Sequence, residues 1–320
     1  MGNVHVVFGT GTIGRALIEE LRSRGLPARS IDRTRSAGLP EDVDQMAGDA
    51  SDPAFAAAAA EGAAAVYQCM NPPYNKWGEL FPPLQRAVVA AAKAAGARFV
   101  SFENVYMYGD TKGALITERL PNAAHTHKGR LRAAMAEELV QLSARGDLQV
   151  ATARASDYFG PGATDQSPLG DRVIGHALKG KSAQVIGDPD QPHSYTYAPD
   201  AGRVLATLGS DARALGQVWH VPNAPARTTR ELVSMIGRSL GREVKVQVAP
   251  KLILKLMGLF NPVIRELDEM LYQFEGPFVV DGSKFETTFG IGATPFEESI
   301  PATVAWWKAR RGPTGERLAA

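Results

Sequence analysis

The stretch Val4-His-Val-Val-Phe-Gly-Thr-Gly-Thr-Ile-Gly-Arg-Ala-Leu-Ile-Glu-Glu-Leu21 decides the fold. Five residues rich in valine read as a strand. They run into Gly9, Gly11 and Gly14 at G-x-G-x-x-G spacing, and an amphipathic helix near 12–24 follows. In that spacing the first glycine permits a tight turn, the second lets a pyrophosphate approach the backbone, and the third lets helix pack on strand. The helix start, with Thr12 and Ile13, presents N–H groups to the phosphates. Asp32 lies 18 residues after Gly14, at the end of the next short strand, where a carboxylate meets ribose hydroxyls. It repels a 2′-phosphate and favours NAD, whereas Arg33 and Arg35 would receive that phosphate and favour NADP. The balance falls to NAD.

Outward from this loop, apolar runs alternate with helical patterns: 28–32, 64–69, a helix near 79–95, 98–102, a helix near 126–145, and 148–154. Strands that are apolar throughout and separated by helices predict an α/β fold with a doubly wound parallel sheet. After Gly160-Pro161-Gly162 turn residues become denser and a mostly helical tail runs from Thr228 to Trp307. We therefore expect a dinucleotide-binding domain over 1–160 with a returning segment at about 196–223, and a smaller, discontinuous substrate domain over 161–195 and 224–312. The alanine tract Ala54 to Ala65 reads as a short surface helix, and 251–274, rich in Leu, Met and Phe, as a core helix pair.

The bulk composition narrows the function. A net charge of +1 over 320 residues gives no reason to invoke nucleic acid or an anionic membrane. No apolar run is long enough to span a bilayer. The single cysteine, Cys69, excludes an intramolecular disulfide and a thiolate metal cluster. His125 and His127 lack the neighbours a metal site needs. A cytoplasmic protein acting on a small molecule is expected.

Further stretches resemble the extended short-chain dehydrogenase/reductase family, of the epimerase/dehydratase type with its Rossmann sheet. "GDASD" (48–52) is similar to the family's adenine-contacting Gly-Asp-x-x-Asp, which assigns Asp49 and its neighbour Ala50 to the adenine. "RASDYFGPG" (154–162) resembles its Arg-Pro-x-Asn-x-Tyr-Gly-Pro-Gly stretch, "HSYTYAPDAGRVL" (193–205) the segment returning to the sheet, and "DGSKFETTFGIGATPFEESI" (281–300) its closing pattern. The resemblance implies an oxidoreductase or epimerase/dehydratase, and a homodimer formed through the two longest helices.

The same resemblance exposes a departure. The family carries a Ser or Thr after the fifth strand and a Tyr-x-x-x-Lys at the start of the next helix, where the tyrosine exchanges a proton with substrate. Here Asn104 takes the Ser/Thr place, Lys128 the tyrosine's and Arg132 the lysine's. Two cations at a helix start oppose the helix dipole, and four residues apart they repel each other on one face. Arg132 is suited to holding ribose or carboxylate oxygens. Lys128, beside a second cation and partly desolvated, is suited to acid or base work. Glu103 and Tyr106 flank Asn104 as alternative proton donors. Asn71, Tyr74 and Trp77, after the fourth strand, and Asp157, Tyr158, His193 and Tyr195 are the candidates to face substrate. A non-redox isomerase or lyase, and a nucleotide sensor without catalysis, are the rival readings.

Overall fold

A computed structural model describes residues 2–250, 266 and 268–310. The expected helix pair at 251–274 falls mostly outside the described residues; at its end Leu271–Phe274 forms one 3-10 turn.

In chain order the elements are β1 (Val4–Phe8), α1 (Thr12–Ser23), β2 (Ala28–Asp32), β3 (Asp44–Ala47), α2 (Pro53–Ala59), β4 (Ala63–Gln68), α3 (Trp77–Ala94), β5 (Arg98–Glu103), α4 (His127–Ala144) and β6 (Val150–Arg154). Short strands β7 (Asp157–Phe159), β8 (Ala183–Val185), β9 (Pro192–His193) and β10 (Tyr195–Tyr197) follow, with the short helix α5 (His176–Leu178) among them. Helix α6 (Ala198–Ser210) and strand β11 (Gln217–His220) come next. Seven strands form one parallel sheet in the order β11-β6-β5-β4-β1-β2-β3. The order reverses between β1 and β4, which makes the carboxyl ends of these two strands the crevice where doubly wound sheets bind ligands.

Burial explains the sheet. Val6 and Phe8 of β1 enter a core with Ile31, Val66, Val88, Phe99 and Val150, while His5 and Val7, on the opposite face, are buried as well. A strand covered on both faces has no polar alternation, which is why these strands read as continuous apolar runs. On the other face His5 Nδ1 lies 2.7 Å from the Tyr67 hydroxyl. Gly202 of α6 leaves no room for a side chain, since a Cβ there would stand 2.5 Å from the Ala16 carbonyl of α1.

One expectation is corrected, and one strand is added. The alanine tract is not one surface helix: α2 ends at Ala59, Gly62 turns the chain at φ +73°, and Ala63–Ala65 already belong to β4. Ala56, Ala59 and Ala60 are buried in the core, so helix propensity yielded to the space beneath the sheet. Strand β3 lay hidden in the sequence because its four residues, Asp44–Ala47, are exposed or half-buried at the sheet edge and carry no apolar run.

The chain divides into two compact units. The first comprises residues 1–107, 128–155 and 199–221, and holds the whole sheet. The second comprises 108–127, 156–198 and 222–320. The segment 108–127 thus clusters with the second unit although it interrupts the sheet domain in sequence. Within the second unit Phe159, Val173, Tyr195, Leu232, Ile236, Phe296 and Trp307 pack together. Helix α7 (Thr229–Leu240) is set there by a capping box between Thr228 and Glu231 and stopped by Gly241 in the left-handed region.

Candidate dinucleotide and active site

The three loop glycines answer to different neighbours. Gly9 has φ +94°, and a Cβ on it would lie 2.8 Å from the Met70 backbone after β4. A Cβ on Gly14 would lie 1.9 Å from the Gly9 carbonyl. These two are demanded by the chain itself. Gly11 is exposed, has φ −69°, and a Cβ there would meet nothing within 4 Å. Neither backbone conformation nor packing calls for glycine at 11. Open space lies above the first turn of a helix that lacks a capping side chain, with N–H groups of the kind that bind an anion. Beside it Thr12 is half-buried and Ile13 buried.

Asp32 closes the other side of the loop. Its Oδ2 accepts the Thr10 N–H at 3.2 Å and the Thr10 hydroxyl at 2.6 Å, and its Oδ1 accepts the Arg33 N–H at 2.8 Å. The Thr10 hydroxyl also meets that of Ser36. Arg15 braces the same turn, donating to the Thr10 carbonyl at 3.1 Å and the Ala37 carbonyl at 2.7 Å. The side chains of Arg33 and Arg35 are exposed and form no ion pair among the described residues. Thr10, Arg15 and Ser36 escape sequence reasoning, because only the folded turn brings them onto Asp32. Asp49 is exposed, and the Ser51 N–H and hydroxyl, at 2.9 and 2.7 Å, hold its carboxyl below the usual carboxylate range. Ala50 points its methyl into the core, leaving only its backbone for a ligand.

At the start of α4 the charges turn inward. Lys128 is 2% exposed; its ammonium donates to the Tyr74 carbonyl and stands 3.9 Å from the Tyr74 ring centre and 5.0 Å from that of Trp77. Arg132 is 1% exposed, with its guanidinium 4.6 Å from the Phe81 ring centre, 3.8 Å from Met135 Sδ and 4.0 Å from Glu103 Oε1. Its Nε has no hydrogen-bond partner among the described residues. Burial lowers the pKa of this guanidinium, and the Glu103 carboxylate opposes that shift. Glu103 is itself 1% exposed, with Arg154 Nε donating to Oε2 at 3.1 Å and the Ser101 hydroxyl to Oε1 at 3.3 Å. The cations at the helix start are therefore offset by aromatic faces and one buried carboxylate, which is why the dipole and like-charge rules do not prevent them.

Other candidates separate by exposure. Trp77 is buried, donates its Nε1–H to the Pro72 carbonyl at 3.1 Å, and packs with Tyr74, Phe81 and Tyr106. Asn71 is exposed and Tyr74 half-buried. Asn104 caps the next turn, accepting the Tyr106 N–H at 3.2 Å, and Tyr106 stays half-buried on the Trp77 ring. In the second unit the Tyr158 hydroxyl donates to Gln166 at 2.9 Å, the Tyr195 hydroxyl lies 2.7 Å from that of Thr229, and His193 lies 2.8 Å from Asp157. No described helix is long and apolar enough to cross a membrane.

Residues 5–221 match the model of the NAD dependent epimerase/dehydratase family. A 2'-dehydrokanamycin reductase of Streptomyces kanamyceticus is 25% identical over 242 residues, covering 72% of this chain and 64% of that protein, so the match spans less than two thirds of the relative's length. Among solved structures, MoeE5 in complex with UDP-glucose and NAD aligns with a TM-score of 0.76 at 19% identity, covering 96% of this chain and 99% of that one. A double mutant of DesIV, the dTDP-glucose 4,6-dehydratase of Streptomyces venezuelae, aligns with NAD bound at 0.78 and 18% identity, covering 97% and 98%. The UDP-glucuronic acid 4-epimerase of Bacillus cereus, in complex with UDP-glucuronic acid and NAD, aligns at 0.77 and 16%, covering 96% and 99%. At these identities the likeness is one of fold.

Proposed function

The chain belongs to the NAD dependent epimerase/dehydratase family, and on that premise we propose that it is an oxidoreductase or epimerase/dehydratase acting on a small to medium organic substrate. The observation that carries the reading is Gly11: a glycine that nothing in the chain requires, above an uncapped helix start. The backbone from Gly9 to Gly14 would hold a pyrophosphate, Asp32 a ribose, and Asp49 with the Ala50 backbone an adenine. When bound, the dinucleotide supplies a carbon that accepts or returns a hydride. NAD is preferred over NADP because the Asp32 carboxylate faces the ribose site, and the relatives crystallised with NAD support that choice.

Among Lys128, Glu103, Asn104 and Tyr106, we assign the proton to Tyr106. Glu103 and Lys128 are buried against their partners, whereas Tyr106 is half-buried and within electrostatic reach of the Arg132 guanidinium. A half-buried phenol is placed to exchange a proton with a substrate oxygen. Arg132 then acts on Tyr106 as a positioning charge. The burial of Lys128 and Arg132 also favours a second reading, a dinucleotide-sensing regulator without turnover. The reductase relative supports the redox reading. Pairing into a homodimer through α3 and α4 is supported by Val140, an exposed apolar residue on α4. The single cysteine supports a cytoplasmic location.

Calorimetry with NAD, NADH, NADP and NADPH tests the site, and no binding of any of the four at millimolar concentration sinks it. Exposure of the cofactor-loaded protein to a metabolite panel, followed by the nicotinamide absorbance, separates enzyme from sensor. With a substrate in hand, Tyr106→Phe should lower kcat about 100-fold with unchanged dinucleotide affinity. An unchanged kcat passes the proton to another group.

A further inference from the structure

Asp157 opens β7 and stands in register with Tyr195 of the neighbouring parallel strand β10. The imidazole of His193 lies with Nε2 at 2.8 Å from Asp157 Oδ2, so Nε2 carries a proton and donates it. Three aromatic rings pack against that imidazole. It lies between Phe274, at 5.0 Å and 6° between planes, and Phe278, at 5.1 Å and 21°, with the Tyr195 ring at 4.6 Å. The two partners differ in exposure: the His193 side chain is 3% exposed and that of Asp157 18%. One carboxylate oxygen thus accepts from a buried imidazole, while Oδ1 accepts no hydrogen bond among the described residues.

We infer that Asp157, clamped by His193, is a subsite in the second unit for a hydrogen-bond donor of the substrate, a hydroxyl or an ammonium group, and that it turns away substrates presenting a phosphate there. A carboxylate has acceptor capacity only, so an open oxygen on a fixed carboxylate selects donors. Its charge raises the energy of a nearby phosphate and lowers that of an ammonium. The field extends beyond the pair. Burial, Asp165 and Asp157 push the Tyr158 phenol up to about 12, and Asp157 adds to the burial that raises Tyr195 and Tyr272. The inference rests on the chain acting on a small organic substrate, and it narrows that substrate to an uncharged or amine-bearing molecule that keeps phosphate away from this position. In this it would differ from the sugar-nucleotide proteins that share the fold.

Saturation-transfer NMR on the NAD-treated full chain, with glucosamine, glucose and glucose 6-phosphate as probes, tests it. Glucosamine and glucose should give transfer from wild type and glucose 6-phosphate none; the ratio of the first two tells an ammonium preference from a hydroxyl one. Asp157→Asn keeps the shape and removes the charge, and should weaken glucosamine about tenfold while admitting glucose 6-phosphate. If that variant does not fold, discrimination among the three probes by wild type decides alone. His193→Phe, which fills the same slot between the phenylalanines, should weaken glucosamine without excluding it. Equal binding of glucose 6-phosphate and glucosamine by wild type, no binding of any probe, or an Asp157→Asn profile identical to wild type overturns the assignment. NAD calorimetry on the same samples reports separately on the dinucleotide reading, and the sugar titrations are read whether or not NAD binds.

Discussion

Two regions of the first unit handle charge in opposite ways. At the glycine loop a half-buried carboxylate, Asp32, is held by backbone and hydroxyl donors at the edge of open space. At the start of α4 two cations are folded inward, against Tyr74 and Trp77 and against Phe81 and Glu103. The first arrangement leaves open space beside it; the second turns its charges onto aromatic rings and a carboxylate, although Arg132 Nε finds no hydrogen-bond partner among the described residues. A charge pattern at family-like spacing therefore does not by itself mark a ligand contact. The burial of the side chain's end decides.

The most severe way to break this contrast is at the carboxylate that the buried cations share. Glu103→Gln leaves Arg132 and Arg154 buried without their anion and should cost about 3–5 kcal/mol, read by guanidinium unfolding. A loss below about 1 kcal/mol would mean that the guanidiniums reach solvent and are open to ligands after all.

His5 offers a buried group that stays uncharged instead. Burial, then Arg98 and Arg24, depress its pKa from 6.5 to about 4. Between those values the unfolded chain binds the extra proton. The stability associated with neutral His5 is complete above about pH 6.5, falls as pH drops, and is lost below about 4, at most about 3 kcal/mol. Urea melts at stepped pH should show that slope, and His5→Phe should flatten it.

At the loop, the comparison sharpens between glycines. Gly14→Ala should destabilise by about 1–3 kcal/mol, because its methyl would press on the Gly9 carbonyl. Gly11→Ala, at the N-cap of α1, should cost no more than about 1 kcal/mol and still weaken dinucleotide binding about tenfold or more. Should Gly11→Ala bind like wild type, the space above it is not where a pyrophosphate approaches. The smallest effect is one of preference: Asp32→Ala should improve NADP relative to NAD in calorimetric titration. A wild type that already prefers NADP would hand the ribose end to Arg33 and Arg35.

Legibility follows the range of the interactions. Gly9, Gly11, Gly14 and Asp32 could be read because a strand, a turn and a helix within about thirty residues form that geometry, with each residue type restricted by backbone sterics. Trp77 reads as a substrate contact from its place after β4, yet its indole is spent on the Pro72 carbonyl and neighbouring rings. Glu103 reads as a proton donor, but Arg154, 51 residues away, claims it. The alanine tract could not be divided by propensity, since alanine serves a helix and a tightly covered strand equally well.

The amino-acid sequence alone determined the parallel α/β sheet, apart from its edge strand β3, and the glycine turn between β1 and α1, because apolar periodicity and the steric demands on Gly9 and Gly14 are local properties of the chain. Only the tertiary structure decided that Lys128 and Arg132 point inward, that Thr10 and Ser36 meet at the Asp32 carboxylate, and that His193 clamps Asp157. Each of these depends on which distant groups remove water from a charge. A side chain's polarity states that it needs a partner; only packing chooses whether that partner is water, a ligand or another residue of the same chain.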